Sequence, residues 1–366
     1  SNNNSFSSST NVSYITATDD AFGILLESSN NNSFSSSTTV SYINATNRNA
    51  YGIYLYSSTN NTFSSGSISD VNAPTWWDFY SDASSHRNSA ENITISSFPT
   101  TISFTYDNGV GIKSVETPPP DPALKSNIGK YVNATNVTAN SWLFLNVSYN
   151  ASDVSGVQED SLKMWKYNGT WQEVEGVTGV NTAEKYVYAN ITDFSVFAPL
   201  GNSTRITIPA ATGSGDVVIE TDKGYFCNET DALPASPPDP PALTFPHGFF
   251  NVTICGLNDT SAETVTINFT FPSAIPTNAE FWKYNSSNGT WYQYQFNDND
   301  GDNFISITIT DNGAGDHDPA LGVINDPNGI GWTTVAVPEL TPIGLIALVG
   351  LLSVVLAVSI SIRRKK

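Results

Sequence analysis

The chain has 366 residues and a net charge of −19, from 34 acidic residues against 15 basic ones, and the tetrad Arg363-Arg364-Lys365-Lys366 closes it. A surface of this sign repels nucleic acid and anionic lipid and favours cations or a salty exterior. The sequence has no Gly-rich phosphate loop, no Ser/His/Asp constellation within one region and no Cys-x-x-Cys, which excludes the common nucleotide-binding, triad-hydrolase and thiol-redox sites.

The N-terminal hundred residues repeat. Asn2-Asn3-Asn4-Ser5-Phe6-Ser7-Ser8-Ser9-Thr10 returns as Asn30-Asn31-Asn32-Ser33-Phe34-Ser35-Ser36-Ser37-Thr38 and, degraded, as Thr59-Asn60-Asn61-Thr62-Phe63-Ser64-Ser65, with a period of 28 and then 29 residues. Inside one unit, Val12, Tyr14 and Phe22-Gly23-Ile24-Leu25-Leu26 are short apolar bursts between Ser/Asn/Thr turns, a strand pattern without helical periodicity. A unit this short cannot bury its own apolar face, so like residues must stack on like. The expected ladders are Phe6/Phe34/Phe63, Val12/Val40/Ile68, Ile24/Ile53/Phe79 and Leu26/Leu55, with Asn4, Asn32 and Asn61 bonding along the stack at one turn. Trp76-Trp77 and an irregular segment to Ile95 are expected to form the closing coil and its cap, and further coils are expected upstream of Ser1.

On the Asn-Asn-x-Ser/Thr-Phe turn and the strand Tyr51-Gly52-Ile53-Tyr54-Leu55 followed by Ser57-Ser58, residues 1–98 resemble the NosD-type right-handed parallel β-helix. That group is linked to carbohydrate-binding proteins and sugar hydrolases, and the resemblance implies a fold more than an activity. The NosD name is also attached to copper-site maturation. Copper wants imidazole, thiolate or thioether ligands, whereas Met164 is alone and His86, His247 and His317 fall in three different regions. All three histidines are expected at the surface.

Residues 99–201 change to longer alternating strands, Ile102–Tyr106 and Leu143–Tyr149, broken by Pro118-Pro119-Pro120-Asp121-Pro122. Met164-Trp165-Lys166-Tyr167-Asn168-Gly169-Thr170-Trp171 reads as a hairpin about Asn168-Gly169, and Phe194-Ser195-Val196-Phe197-Ala198 as a last strand stopped by Pro199. Strands at this spacing form a β-sandwich, and the hairpin and last strand resemble the PGF-pre-PGF domain of archaeal surface proteins. Residues 202–332 repeat the hairpin as Phe281-Trp282-Lys283-Tyr284-Asn285 through Trp291 and predict a second, anchor-proximal sandwich. Its end, from Ile305 through Asp326-Pro327, resembles the choice-of-anchor domains. Cys227 and Cys255 are the only cysteines, and an even pair outside the cell reads as one disulfide.

Residues 333–340 form a linker and 341–362 an uncharged apolar run. About twenty helical residues reach roughly 30 Å, the hydrocarbon thickness, so a transmembrane helix is expected, with residues 363–366 as a cytoplasmic basic tail and everything upstream outside. Val337-Pro338-Glu339-Leu340-Thr341-Pro342, the run and the tetrad together resemble a tripartite sorting signal, with Leu340 where archaeosortase substrates of the Pro-Glu-Phe class carry Phe. The expected fold is all-β throughout: C-terminal coils of a parallel β-helix, two β-sandwich-like domains and one transmembrane α-helix.

About nineteen Asn-x-Ser/Thr sequons suggest a glycosylated surface, with Asn44, Asn60, Asn92, Asn133, Asn146, Asn168, Asn190, Asn251, Asn268 and Asn288 as candidate acceptors. Asp298, Asp300 and Asp302 alternate on one turn as hard-cation loops do, and Asp316 and Asp318 would complete a calcium site if that loop folds back. No other cofactor is implied. Catalysis on a β-helix needs paired carboxylates, and Asp19-Asp20, the adjacent pair in the repeats, reads as a solvated turn. Tyr14, Tyr42, Tyr54, Tyr56 and Trp76-Trp77 offer stacking faces to sugars. The sequence therefore predicts a non-enzymatic, membrane-anchored surface protein, structural or adhesive, whose partners are membrane lipid, envelope glycans or other surface proteins and not nucleic acid. The alternatives are a polysaccharide-active enzyme with its catalytic coils upstream, and a carbohydrate-binding adhesion module.

Overall fold

The computed structural model describes residues 2–96, 98–227, 230–297 and 300–333. The protein is all-β, 54% strand and 1% helical, the helical part being the 3-10 turn Glu159–Ser161.

It begins as a β-solenoid of about three turns. The first coil supplies β1 (Ser5–Phe6), β2 (Thr10–Ala17) and β3 (Ala21–Glu27), and the second β4 (Ser33–Phe34), β5 (Thr38–Ala45) and β6 (Asn49–Tyr56). The third supplies β7 (Thr62–Asn72) and β8 (Thr75–Ser81), and β9 (Ser89–Ile95) starts a fourth. All pair in parallel, and the register sets Phe6 on Phe34 on Phe63, Val12 on Val40 on Ile68, Ile24 on Ile53 on Phe79, and Leu26 on Leu55, as the period demands. The phenylalanine rings stack at 4.5 and 4.6 Å. The segment from Trp76 to Ile95 is not an irregular cap, because β8 and β9 continue the parallel coils in register.

The amide ladder is longer than its sequence signature. Asn4 donates to Asn32, Asn32 to Asn61 and Asn61 to Asn88, each through Nδ2 at 2.8 to 3.0 Å. Asn88 in turn donates to the Tyr106 hydroxyl at 3.1 Å, which ends the stack on a strand of the next region. Buried amides are stable only when their donors and acceptors are met, and a ladder of identical residues meets them with one geometry repeated.

The next region grows directly from the solenoid's two sheets. Its strands are β10 (Thr100–Asp107), β11 (Val110–Lys113), β12 (Lys125–Asn127), β13 (Val132–Asn136), β14 (Trp142–Ser148), β15 (Lys163–Tyr167), β16 (Trp171–Glu173), β17 (Thr178–Asn181), β18 (Tyr186–Ile191) and β19 (Val196–Asn202). Strand β10 pairs antiparallel with β9, and β11 antiparallel with β8. Strand direction reverses while the sheets continue, and one hydrophobic core runs from Ala21 to Phe197. Strand β19 passes through Pro199 rather than stopping at it. Pro199 sits opposite Met164 where β19 passes from β13 to β12, a place where the missing N–H breaks no ladder bond.

The last described region holds β20 (Arg205–Pro209), β21 (Asp216–Thr221), β22 (Tyr225–Phe226), β23 (Asp231–Leu233), β24 (Phe249–Cys255), β25 (Thr264–Thr270), β26 (Glu280–Asn285), β27 (Thr290–Tyr294), β28 (Phe304–Thr310) and β29 (Val323–Gly331). It repeats the plan of the region before it. The sheet order β10-β14-β18 recurs as β21-β25-β28, and β16-β15-β19-β13-β11 as β27-β26-β29-β24-β22. The match reaches single residues. Lys166 faces Phe197 as Lys283 faces Asn328, and Tyr131-Val132-Asn133-Ala134-Thr135 corresponds to Phe249-Phe250-Asn251-Val252-Thr253. The return strand of each hairpin opens with a tryptophan at its first or second residue, whose indole N–H donates to a carbonyl in a proline run, Trp171 to Pro120 and Trp291 to Pro238, both at 2.8 Å. The disulfide joins Cys227, just past β22, to Cys255 at the end of β24, with Cα atoms 6.0 Å apart.

Candidate functional site

At one corner of the solenoid, Tyr14, Tyr42 and Asp70 share a column and all have positive φ, +59°, +54° and +53°. Left-handed backbone costs a residue with a Cβ roughly 1–2 kcal/mol, and here it recurs coil after coil. The Tyr14 and Tyr42 rings stack at 4.7 Å and stand 75% and 44% exposed. In the third coil Asp70 replaces the ring, and the stack gives way to a cleft of about 440 Å³. Tyr42, Asp70, Trp76, Asp78, Ser114 and Glu116 line it, with the amides of Asn44 and Asn72.

Asp78 is the most deeply buried member of this group. It continues the column of Gly23 and Gly52, as the flanking pairs show, and a Cβ on Gly52 would lie 2.5 Å from the Asp78 carbonyl oxygen. Its Oδ2 accepts the Ser114 N–H at 2.7 Å. Burial pushes the carboxyl up to about 7, against the opposing pull of the Ser114 hydrogen bonds and of Lys113. The Lys113 ammonium lies 5.0 Å from the Trp76 ring centroid and 5.2 Å from that of Trp77. Rings beside carboxylates and amides suit a polyol, whose C–H face stacks while its hydroxyls donate to carboxylate and carbonyl oxygens.

Tyr54, Tyr56 and Trp77 belong to a second aromatic group, on the strands β3, β6 and β8. Phe22 stacks with Tyr51 at 5.3 Å and Tyr51 with Tyr54 at 4.8 Å, and burial raises the Tyr51 hydroxyl to about 12. Asp20 accepts from the backbone and side chain of Asn49 at 3.1 and 2.9 Å, a ladder contact between coils.

Asp298 lies outside the described residues. Asp300 and Asp302 accept N–H groups of their own turn, as Asp316 accepts from Asn312, Asp318 and Asn325, and Asp318 from Ala320. Strand β28 lies between the two aspartate pairs in sequence, and seven residues at about 3.3 Å each set its ends roughly 20 Å apart. Among the described residues no group of three or more His, Cys, Asp or Glu is placed to hold a metal ion. Asn60, Asn92, Asn168, Asn190 and Asn288 are exposed, and Asn44, Asn133, Asn146, Asn251 and Asn268 are partly buried on strands.

The histidines are not all superficial. His247 is buried against Phe271, at 4.9 Å, and near Trp332. His317 is half-buried against Tyr292, and His86 pairs with Asp107 at 2.7 Å. Among the described residues no helix is long and apolar enough to cross a membrane, and the expected helix at 341–362 lies outside them. Comparison with known proteins gives no match to any family model and none to a curated protein.

Asp70, Asp78 and Glu116 line the cleft without a sequence motif to mark them. The signal for Asp78 was its place in the repeat, a carboxylate following two glycines in an aligned column.

Proposed function

We propose that this is a non-enzymatic, adhesive cell-surface protein whose solenoid binds glycan in the cleft beside the tyrosine stack. The observation that carries the reading is that cleft, where Tyr42 and Trp76 share the lining with Asp70, Asp78 and Glu116. In this reading the solenoid is a right-handed, NosD-type β-helix and the two sandwich units space it from the membrane of an archaeal envelope. The apolar run at 341–362 and its basic tail would supply the anchor, and the sequons a glycosylated outer surface. Retention on immobilised envelope polysaccharide tests it. Tyr42→Ala and Trp76→Ala should each weaken binding by about tenfold, the size of a lost stacking contact of roughly 1.4 kcal/mol. Unchanged retention in both variants would sink the reading.

A polysaccharide-active enzyme is the second reading, favoured by Asp78 alone. A carboxyl that holds its proton to about 7 has the character of a general acid, and Asp70 and Glu116 line the same cleft. Release of new reducing ends from a bound polysaccharide, abolished in Asp78→Asn while binding persists, would establish it. Binding without release leaves the adhesive reading in place.

A further inference from the structure

The second sandwich contains an ammonium and a carboxylate that are both fully buried. Lys283 on β26 and Asp326 on β29 are each 0% exposed, with Nζ 3.0 Å from Oδ2. Nζ also donates to the Gly315 carbonyl at 3.1 Å and lies 4.0 Å from the Tyr294 ring centroid. Asn328 donates through Nδ2 to Asp326 Oδ2 at 3.2 Å and to the Asp326 carbonyl at 2.9 Å. Asp326 Oδ1 has no hydrogen-bond partner among the described residues. Gly315, at φ +94°, admits this approach, since a Cβ there would lie 2.8 Å from Nζ.

We propose that Lys283 and Asp326 condense into an intramolecular amide that joins β26 to β29 covalently. As an ion pair the arrangement is a poor stabiliser, because removing both charges from water costs about as much as their attraction returns, and here one carboxylate oxygen is left unmet. As a reaction site the same features are favourable. Burial lowers the lysine and raises the aspartate, so both move toward the neutral amine and neutral acid from which an amide forms. The reacting groups are held in contact on neighbouring strands, which replaces a bimolecular encounter with a fixed one.

The step balances without a co-reactant. A proton passes from Nζ to Oδ2 along their contact, and the freed lone pair attacks Cγ of Asp326. Oδ1 carries the transient negative charge and becomes the amide oxygen. Oδ2 takes a second proton from Nζ and leaves as water, so the nitrogen keeps one hydrogen and the two opposite charges vanish together. Gly315 orients the amine, and Asn328 holds the departing oxygen.

Peptide mass spectrometry of the reduced, denatured full chain tests this. The expected result is a tryptic species spanning residues 224–363, uncut after Lys283 because trypsin does not cut after an acylated lysine, and one water lighter than that sequence, whereas a plain missed cleavage would carry its full mass. Lys283→Arg, which keeps the charge, should show the full mass of its own sequence with no water lost. Recovery of the wild-type peptide ending at Lys283 in the same yield as the one ending at Lys166, with no joined species, overturns the proposal. That comparison holds whether or not the arginine variant folds.

Discussion

The two antiparallel units that follow the solenoid share a plan and differ in what holds them. In the first, β11 lies between β13 and the solenoid strand β8, and β10 lies between β14 and β9, so both sheets borrow a neighbour from the coils. In the second, β22 has a single partner strand among the described residues, β24, and the disulfide ties its end to that partner; β20 supplies the outer neighbour of β21. An edge strand of two residues has little pairing of its own, and a covalent staple does there what a neighbouring strand does in the first unit. The same contrast marks the shared Trp-Lys-Tyr-Asn motif. Lys166 pairs with Asp193, whose side chain is 78% exposed, whereas the turn after β28 closes over Lys283 and seals it against Asp326. Identical local sequence yields a surface ion pair or a reactive core according to what covers it.

The sharpest test of this contrast is truncation of the two lysines. Lys283→Ala should cost about 3–5 kcal/mol in urea unfolding, since it strands a buried carboxylate, whereas Lys166→Ala should cost less than about 1 kcal/mol; equal losses would erase the distinction. The weld between solenoid and first unit titrates through Asp78, which binds Ser114 next to β11. Its folded carboxyl sits near 7, above the ordinary value, so the folded state binds the proton more tightly and this group's stabilisation fades as pH rises from about 4 to 7. Asp78→Asn should flatten that slope and raise stability at pH 7 by on the order of 2–4 kcal/mol relative to pH 4, read from denaturation midpoints across the window; an unaltered slope contradicts it. Paired Cys227→Ser and Cys255→Ser substitutions close no loop across the 28-residue separation and should cost about 3 kcal/mol in the chain-entropy account. Hydrogen exchange should then quicken in β22 and β24 while β11 and β13 stay protected. Smallest are Trp171→Phe and Trp291→Phe, each losing an indole bond to a proline carbonyl, at about 1 kcal/mol apiece; a large difference between the two would show that the shared contact is not equivalent.

The solenoid was legible because its period fixes which residues stack, and Phe6, Phe34 and Phe63 could be aligned without coordinates. The fourth coil was obscured because its turn kept only Asn88 of the Asn-Asn signature, and Trp76-Trp77 masked a regular strand. The disulfide needed only a count of cysteines. The continuity of the sheets past Pro99 was hidden, since strand direction leaves no mark in composition. The cleft was hidden for a related reason: Tyr42, Asp70 and Glu116 are far apart in sequence and meet only through the coil repeat and the first antiparallel strands. Repetition of the antiparallel unit was half visible in the repeated hairpin, while the recurring strand order establishes it.

Strand β29 is the last of the described strands, running to Gly331 between antiparallel β24 and β26. A pull on the chain beyond it therefore acts along β29 and loads both flanking ladders in shear, so their hydrogen bonds must fail together instead of opening one at a time like a zipper. Elements in series carry the same tension, so a pull between the solenoid and the chain beyond β29 would load the first unit and this strand alike, and β29 would hold until its two ladders fail together.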